Sequence, residues 1–167
     1  MGETVAVVGA GPGGLAVSRY LTSQGFEPTL FEQGPMLGGQ WTGLPGLSGV
    51  WPGLRTNTSR VMTAFSDLEH DSELVYPSGR DILDYLRRYA DLFAITPRIR
   101  LGTRVDLLGR AGDRWAVTHS GGTEVFDRAV VASGSVQAYS VQAAASSARP
   151  SRSSPAASAT ARPQPSP

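Results

Sequence analysis

A chain of 167 residues has the size of one ordinary domain and is too short for two complete catalytic domains plus a dedicated substrate domain. It has no Cys, which removes disulfide scaffolds, thiolate zinc sites and cysteine nucleophiles, and its two histidines, His70 and His119, lie far apart, which argues against a histidine metal site. All 15 basic residues are Arg and they face 14 acids, so the net charge of +1 predicts neither a nucleic-acid nor a membrane partner.

The charge is uneven along the chain. Residues 1–134 carry 12 Arg and 14 acids, a net −2, while residues 135–167 carry +3. Those last 33 residues include nine Ser, nine Ala and five Pro, with no Gly, Leu or acid. Such a composition cannot bury enough apolar surface to offset chain entropy, so a disordered tail is expected after an ordered domain at 1–134. No apolar run reaches the length of a membrane span, and Met1-Gly2-Glu3 leads into a strand where a secretory leader would be basic, which predicts a cytoplasmic protein.

Residues 4–8, a short β-branched run, read as a strand buried on both faces. A glycine-rich turn follows, and Pro12 stands where a helix takes its first residue; Leu15, Ala16, Val17, Tyr20 and Leu21 give that helix an apolar face until Gly25 closes it. Residues 28–31 read as a second strand ending at Glu32, which completes a βαβ unit. Residues 34–77 show no sustained period and read as loops with a turn of helix, a length that in a compact domain usually has a job, such as gripping a ligand. A helix is predicted over 79–94, with Ser78 and Asp81 as a capping box and Ile82, Leu86, Tyr89 and Phe93 along one face. Runs at 99–101, 105–108, 115–118 and 125–126, separated by Gly-Asp and Gly-Gly turns, read as a β-meander, and 129–132 as another buried strand. The whole suggests an α/β domain: a parallel sheet with an inserted antiparallel piece.

Gly9-Ala10-Gly11-Pro12-Gly13-Gly14 is a GxGxxG that follows a predicted strand, opens a predicted helix, and precedes by 23 residues an acid, Glu32, at the end of the next strand. Gly9 permits the tight turn, Gly11 lets the backbone approach a pyrophosphate, and Gly14 lets the helix pack on the strand. The helix N-terminus offers free N–H groups to phosphate. Glu32 would accept from ribose hydroxyls and repel a 2′-phosphate, which disfavours NADP here and leaves FAD or NAD.

Beyond this fingerprint stand Phe31-Glu32, Gly38-Gly39-Gln40-Trp41, Leu54-Arg55-Thr56-Asn57, Phe65-Ser66-Asp67, Tyr76-Pro77-Ser78, Asp84-Tyr85-Leu86 and Ala132-Ser133-Gly134. In order and spacing these resemble the flavin-containing monooxygenases and the related Baeyer–Villiger flavoproteins, from residue 4 to about 134. The resemblance implies a Rossmann-type FAD-binding domain and the oxygenation of a small organic substrate, at a soft nitrogen or sulfur centre or at a ketone, with NADPH and O2. It places Gly9, Gly11, Pro12, Gly13 and Gly14 at the cofactor, Glu32 on its ribose, and Gln40 and Trp41 beside it, with Gln33, Gly39, Ala132 and Gly134 as further contacts. Thr56 and Asn57 fall near the isoalloxazine. Asn57 is the residue assigned to chemistry, since its amide can donate to an oxygenated flavin while its carbonyl accepts from a ring N–H or a nicotinamide amide. Val105 is either a main-chain contact to adenine or plain core. Trp41 and Trp51 are either shields for a flavin ring or loop anchors, Arg55 is either a phosphate contact or, the preferred reading, a solvated loop arginine, and the two histidines read as surface or partly buried groups.

The family's second dinucleotide fold, which holds NADPH, has no counterpart here, because no glycine follows Gly134. An abrupt change into Ala, Ser, Pro and Arg is what a shifted frame in a GC-rich gene produces, so the expectation is an N-terminal fragment whose frame is lost near 135–140, with an exposed apolar face. The alternative is a non-catalytic FAD-binding module or a gene remnant.

Overall fold

β1 (Thr4–Val8) is the strand about which the domain is arranged. Its small apolar side chains alternate between two layers, and Val5, Ala6 and Val7 are fully buried. In the computed structural model, which describes residues 2–134, β1 pairs in parallel with β2 (Glu27–Phe31) on one side and β7 (Arg128–Val131) on the other. β3 (Ile99–Arg100) adds to β2, giving a parallel sheet of order β3-β2-β1-β7. The stretch expected to be a disordered tail lies outside the described residues.

The sequence reading places residues 99–101 in the meander; the structure puts Ile99 and Arg100 at the edge of the parallel sheet instead. A two-residue strand has no period to read, and its neighbour is set by tertiary bonds: the Glu32 N–H donates to the Arg100 carbonyl, and the Gly102 N–H to that of Gly34. The meander itself comprises β4 (Val105–Ala111), β5 (Arg114–His119) and β6 (Gly122–Phe126), an antiparallel sheet in that order. His119 and Arg100 both bond Glu124, a polar cluster that ties this sheet to β3 and holds the Glu124 carboxyl below its usual range, the Arg100 bond being the main cause.

Each face of the parallel sheet has its own core. Val5, Val7 and Leu30 face α1 (Pro12–Ser23) and α3 (Gly79–Leu92), packing with Leu15, Ile82, Leu86 and Tyr89; Ala6 and Phe31 face the meander, packing with Leu108, Val117 and Phe126. α1 begins with Pro12 and ends in a Schellman turn, where the Phe26 N–H donates to Leu21 O, the Gly25 N–H to Thr22 O, and Gly25 takes φ +83°. α3 has the expected capping box: Ser78 Oγ accepts from the Asp81 N–H while Asp81 Oδ2 accepts from the Ser78 N–H and hydroxyl, and the bonds to the carboxylate, the backbone one first, hold it below its usual range. Between β2 and α3 the chain is mostly loop, with a 3-10 turn at Gly39–Thr42 and a short α2 (Arg60–Thr63). The Arg60 N–H donates to Val75 O, and on this segment Trp51, Val61, Met62, Val75 and Tyr76 are exposed apolar side chains.

α3 also organises the loop before it. The Tyr85 hydroxyl donates to Leu68 O and accepts from the Phe65 N–H, and the His70 ring stacks on Tyr85 with centroids 4.5 Å apart. His70 is thus buried, where a surface or partly buried position was expected. The Ser72 N–H donates to Nδ1, which leaves the proton on Nε2, and that nitrogen is buried with no partner among the described residues. Burial lowers the imidazole pKa from 6.5, and Arg88 and Arg60 add to that, while Asp71 and Asp81 act in the opposite sense. The unfolded chain therefore binds this proton more readily, so the stability contributed by neutral His70 is whole above pH 6.5 and is lost as pH falls through that value toward the folded one. The urea midpoint is expected to drop between pH 7.5 and 5.5, and to drop less in His70→Phe, which keeps the ring against Tyr85.

Candidate nucleotide-binding cleft

The turn after β1 is built so that only glycine fits at two of its positions. Gly9 has φ +104°, and a Cβ there would stand 2.7 Å from the Ala132 carbonyl oxygen. At Gly14 a Cβ would lie 2.0 Å from the Gly9 carbonyl oxygen, so α1 can press against the end of β1 only without a side chain. Gly11 is different. Its φ of −78° is open to any residue, and a Cβ would meet only the Gly39 backbone, Cα at 3.5 Å and N at 3.8 Å, both ordinary contacts. Nothing in the packing of the chain requires glycine at 11, and a Cβ there would project into the space beside the turn.

α1 also begins differently from the other helices. Ser59 caps α2 and Ser78 caps α3, but Gly11 at the N-cap of α1 offers no side chain, and the first turn carries no acid. Its leading N–H groups are left for an acceptor from outside the helix, with the helix dipole favouring an anion.

Glu32, just past β2, is buried on the other side of this turn. Its Oε2 accepts from the Ala10 N–H and its Oε1 from the Gly34 N–H, both at 2.8 Å. A carboxylate has about four lone-pair sites, so two further acceptor positions remain. Gly38 donates its N–H to Ala10 O, which lays Gly38 and Gly39 across the turn, and the Thr103 N–H bonds Glu32 O, which brings Arg104 and Val105 alongside.

These elements enclose a cleft of about 420 Å³. Of the residues expected at the cofactor, Gly9, Gly11, Pro12, Gly13, Glu32, Gln33, Gly39, Gln40, Val105, Ala132 and Gly134 line it. Gly14 lies beneath, as helix packing. Trp41 packs against the main core, which is the anchor alternative, and Trp51 is 62% exposed. Thr56 and Asn57 are not among the lining residues: the Thr56 N–H bonds Pro77 O, its Oγ1 bonds Thr58 O, and Asn57 is exposed on the same loop. Arg55 donates to Tyr76 O. Sequence reasoning missed Met36, Thr42, Leu44, Leu47 and Arg104, which also line the cleft. Arg104 is adjacent to an expected residue; Leu44 and Leu47 sit in a loop without period, and only their being apolar among glycines marked them. Among the described residues no cluster of groups could hold a metal ion, and no helix is long and apolar enough to cross a membrane.

The sequence matches the flavin-binding monooxygenase-like family over residues 2–144. The chain is 32% identical to flavin-containing monooxygenase 1 of Oryctolagus cuniculus, with 80% of this chain and 28% of that protein covered. Its fold is similar to S-allyl-L-cysteine S-oxygenase from Allium sativum, with TM-score 0.75 and 28% identity, covering 80% of this chain and 37% of that one. It is also similar to a steroid monooxygenase solved with NADP, with TM-score 0.70 and 30% identity, covering 80% of this chain and 26% of that one. The chain belongs to the flavin-binding monooxygenase-like family, whose members are oxidoreductases. It spans 22% and 36% of the length of two of the curated relatives it matches, a Penicillium ochrochloron monooxygenase and an Arabidopsis thaliana flavin-containing monooxygenase.

Proposed function

We propose that this chain is the FAD-binding part of a cytoplasmic, NADPH- and O2-dependent monooxygenase acting on a small organic molecule. The observation that carries this reading is the uncapped N-terminus of α1 opening, with Gly11 and Gly13, into the same cleft as the carboxylate of Glu32. The residues present fit the dinucleotide: Gly11 keeps free a space that its own fold does not need, and a buried acid with spare lone pairs stands across from it. When bound, FAD supplies the electron transfer between NADPH and O2 that oxygenates the substrate.

The role of the chain is to hold and orient. The first N–H groups of α1 receive the pyrophosphate, Glu32 accepts from the ribose hydroxyls and repels a 2′-phosphate, and the main chain at Val105 faces the adenine. Asn57 is the residue proposed beside the isoalloxazine, where its amide both donates and accepts. Purified protein loaded with FAD and freed of excess cofactor is expected to keep the visible flavin bands; a colourless protein would overturn the reading.

A non-catalytic FAD-binding module is the second reading, favoured by the position of Thr56 and Asn57 outside the cleft lining. NADPH oxidation by the FAD-loaded chain decides between them: turnover supports the enzyme, and retained flavin without turnover supports the module.

A further inference from the structure

The cleft takes Gly39, Gln40, Thr42, Leu44 and Leu47 of its lining from one short stretch, the 3-10 turn and the loop that follows it. That stretch is fastened at both ends. Upstream, the Gly38 N–H donates to Ala10 O in the glycine turn. Downstream, Val50 covers the first residue of α3 so closely that a Cβ on Gly79 would stand 2.8 Å from Val50 Cγ1. Between these ends Thr42 Oγ1 makes the near turn by donating to Gly39 O, and the wider span from Gln40 to Val50 is closed by Ser48. Ser48 Oγ accepts from the Gly43 N–H at 3.1 Å and from the Val50 N–H at 3.0 Å, and donates to the Gln40 carbonyl. A hydroxyl has one proton to give and two lone pairs, and here all three are in use. Ser48 has nothing left to offer a ligand, so it acts on the cleft through the loop.

We propose that Ser48 is a positioning residue for bound FAD: its hydroxyl holds the loop closed, so the cofactor meets a lining already ordered and leaves it slowly. A loop left open would have to be ordered by the ligand itself, and that cost shortens the life of the complex. The inference rests on the FAD reading above and adds to it a residue that governs how long FAD stays.

The test uses the full chain with Ser48→Ala and with Ser48→Thr, which keeps the hydroxyl. The first readout is amide hydrogen exchange of the FAD-free protein. In Ser48→Ala the Gly43 and Val50 amides are expected to exchange at least about tenfold faster, with the amides of β1 unchanged. The thermal midpoint of the FAD-free protein is expected to stay within about 2 °C, because Ser48 is half-buried and water can take over its bonds. The second readout is FAD release after dilution, followed by the polarisation of flavin emission. Ser48→Ala is expected to raise the dissociation rate constant about tenfold with little change in association, and Ser48→Thr to restore slow exchange and slow release together. Gly43 and Val50 amides as protected in Ser48→Ala as in wild type would show that another contact orders the loop. Faster exchange with an unchanged release rate would show that the loop does not retain the cofactor. A larger fall in the midpoint, or a variant that does not fold, would make Ser48 a general support of the fold, and equal effects of Ala and Thr would put side-chain volume in place of the hydroxyl. Each of these overturns the inference and leaves the FAD reading standing; a wild-type chain that retains no FAD overturns both.

Discussion

Gly14→Ala is expected to lower the thermal midpoint by roughly 10 °C or to prevent soluble expression, corresponding to a loss of about 3 kcal/mol or more. The new methyl carbon would stand 2.0 Å from the Gly9 carbonyl oxygen and 3.0 Å from its carbon. Backbone on both sides of that contact leaves no flexible side chain to yield. Relief would require α1 to lift from β1, and with it Leu15, which is fully buried in the main core. Gly13→Ala is the control, one residue away in the same turn of helix. Its Cβ would meet only Ala132 Cβ at 4.0 Å, so helix propensity dominates and stability is expected to hold or rise by about 0.5 kcal/mol. Differential scanning of the two proteins separates them; equal midpoints would show that the turn can open at no cost.

Glu32→Gln is expected to cost about 2 kcal/mol of stability and to weaken nucleotide binding at least tenfold. The amide is nearly isosteric, but its chemistry is wrong on one side. The carboxylate accepts one backbone N–H on each oxygen, from Ala10 and from Gly34. In the amide one of those positions becomes an NH2 that faces an N–H, so a buried donor is left unpaired at a residue only 8% exposed. Chemical denaturation reads the first effect and flavin titration the second. A variant with wild-type stability but lost binding would mean that the two backbone bonds contribute nothing and that the acid serves only the ligand.

Glu32 and its surroundings mark what the sequence carries and what only the fold supplies. The spacing from Gly9 to Glu32 and the strand on either side predict the βαβ unit, and the structure has it with β1 at the expected residues. The capping box at Ser78 and Asp81 is legible because both partners lie within one turn. The parallel sheet with an inserted meander is legible because Val5, Ala6 and Val7 leave the first strand no polar face; that the meander packs on the sheet's second face comes from the structure alone. Ile99 and Arg100 went to the wrong sheet because two residues carry no period and their partner in β2 is nearly 70 positions away. The same limit hid the place of Leu44 and Leu47 in the cleft lining and the burial of His70, since both depend on how the loops fold. Thr56 and Asn57 were placed by resemblance, and the cleft shows them on a separate loop. The two hydrogen bonds of Glu32 were out of reach for another reason: an acid that ends a strand looks the same whether it faces a ligand or its own backbone.

Arg128 to Val131 form the last strand of the described chain, yet they pair with β1 near its beginning. Thr4 donates from its N–H and hydroxyl to Asp127, a contact across 123 positions, and Arg128 bonds Glu3. Closing so long a loop is slow and is offset only once the strands meet, so this pairing is expected to be among the last formed as the protein folds. Ala132 to Gly134, directly after it, make one side of the cleft. A pocket completed by a late pairing cannot accept its ligand early, and a nucleotide bridging the first and last parts of the described chain would act as a clasp that slows their separation.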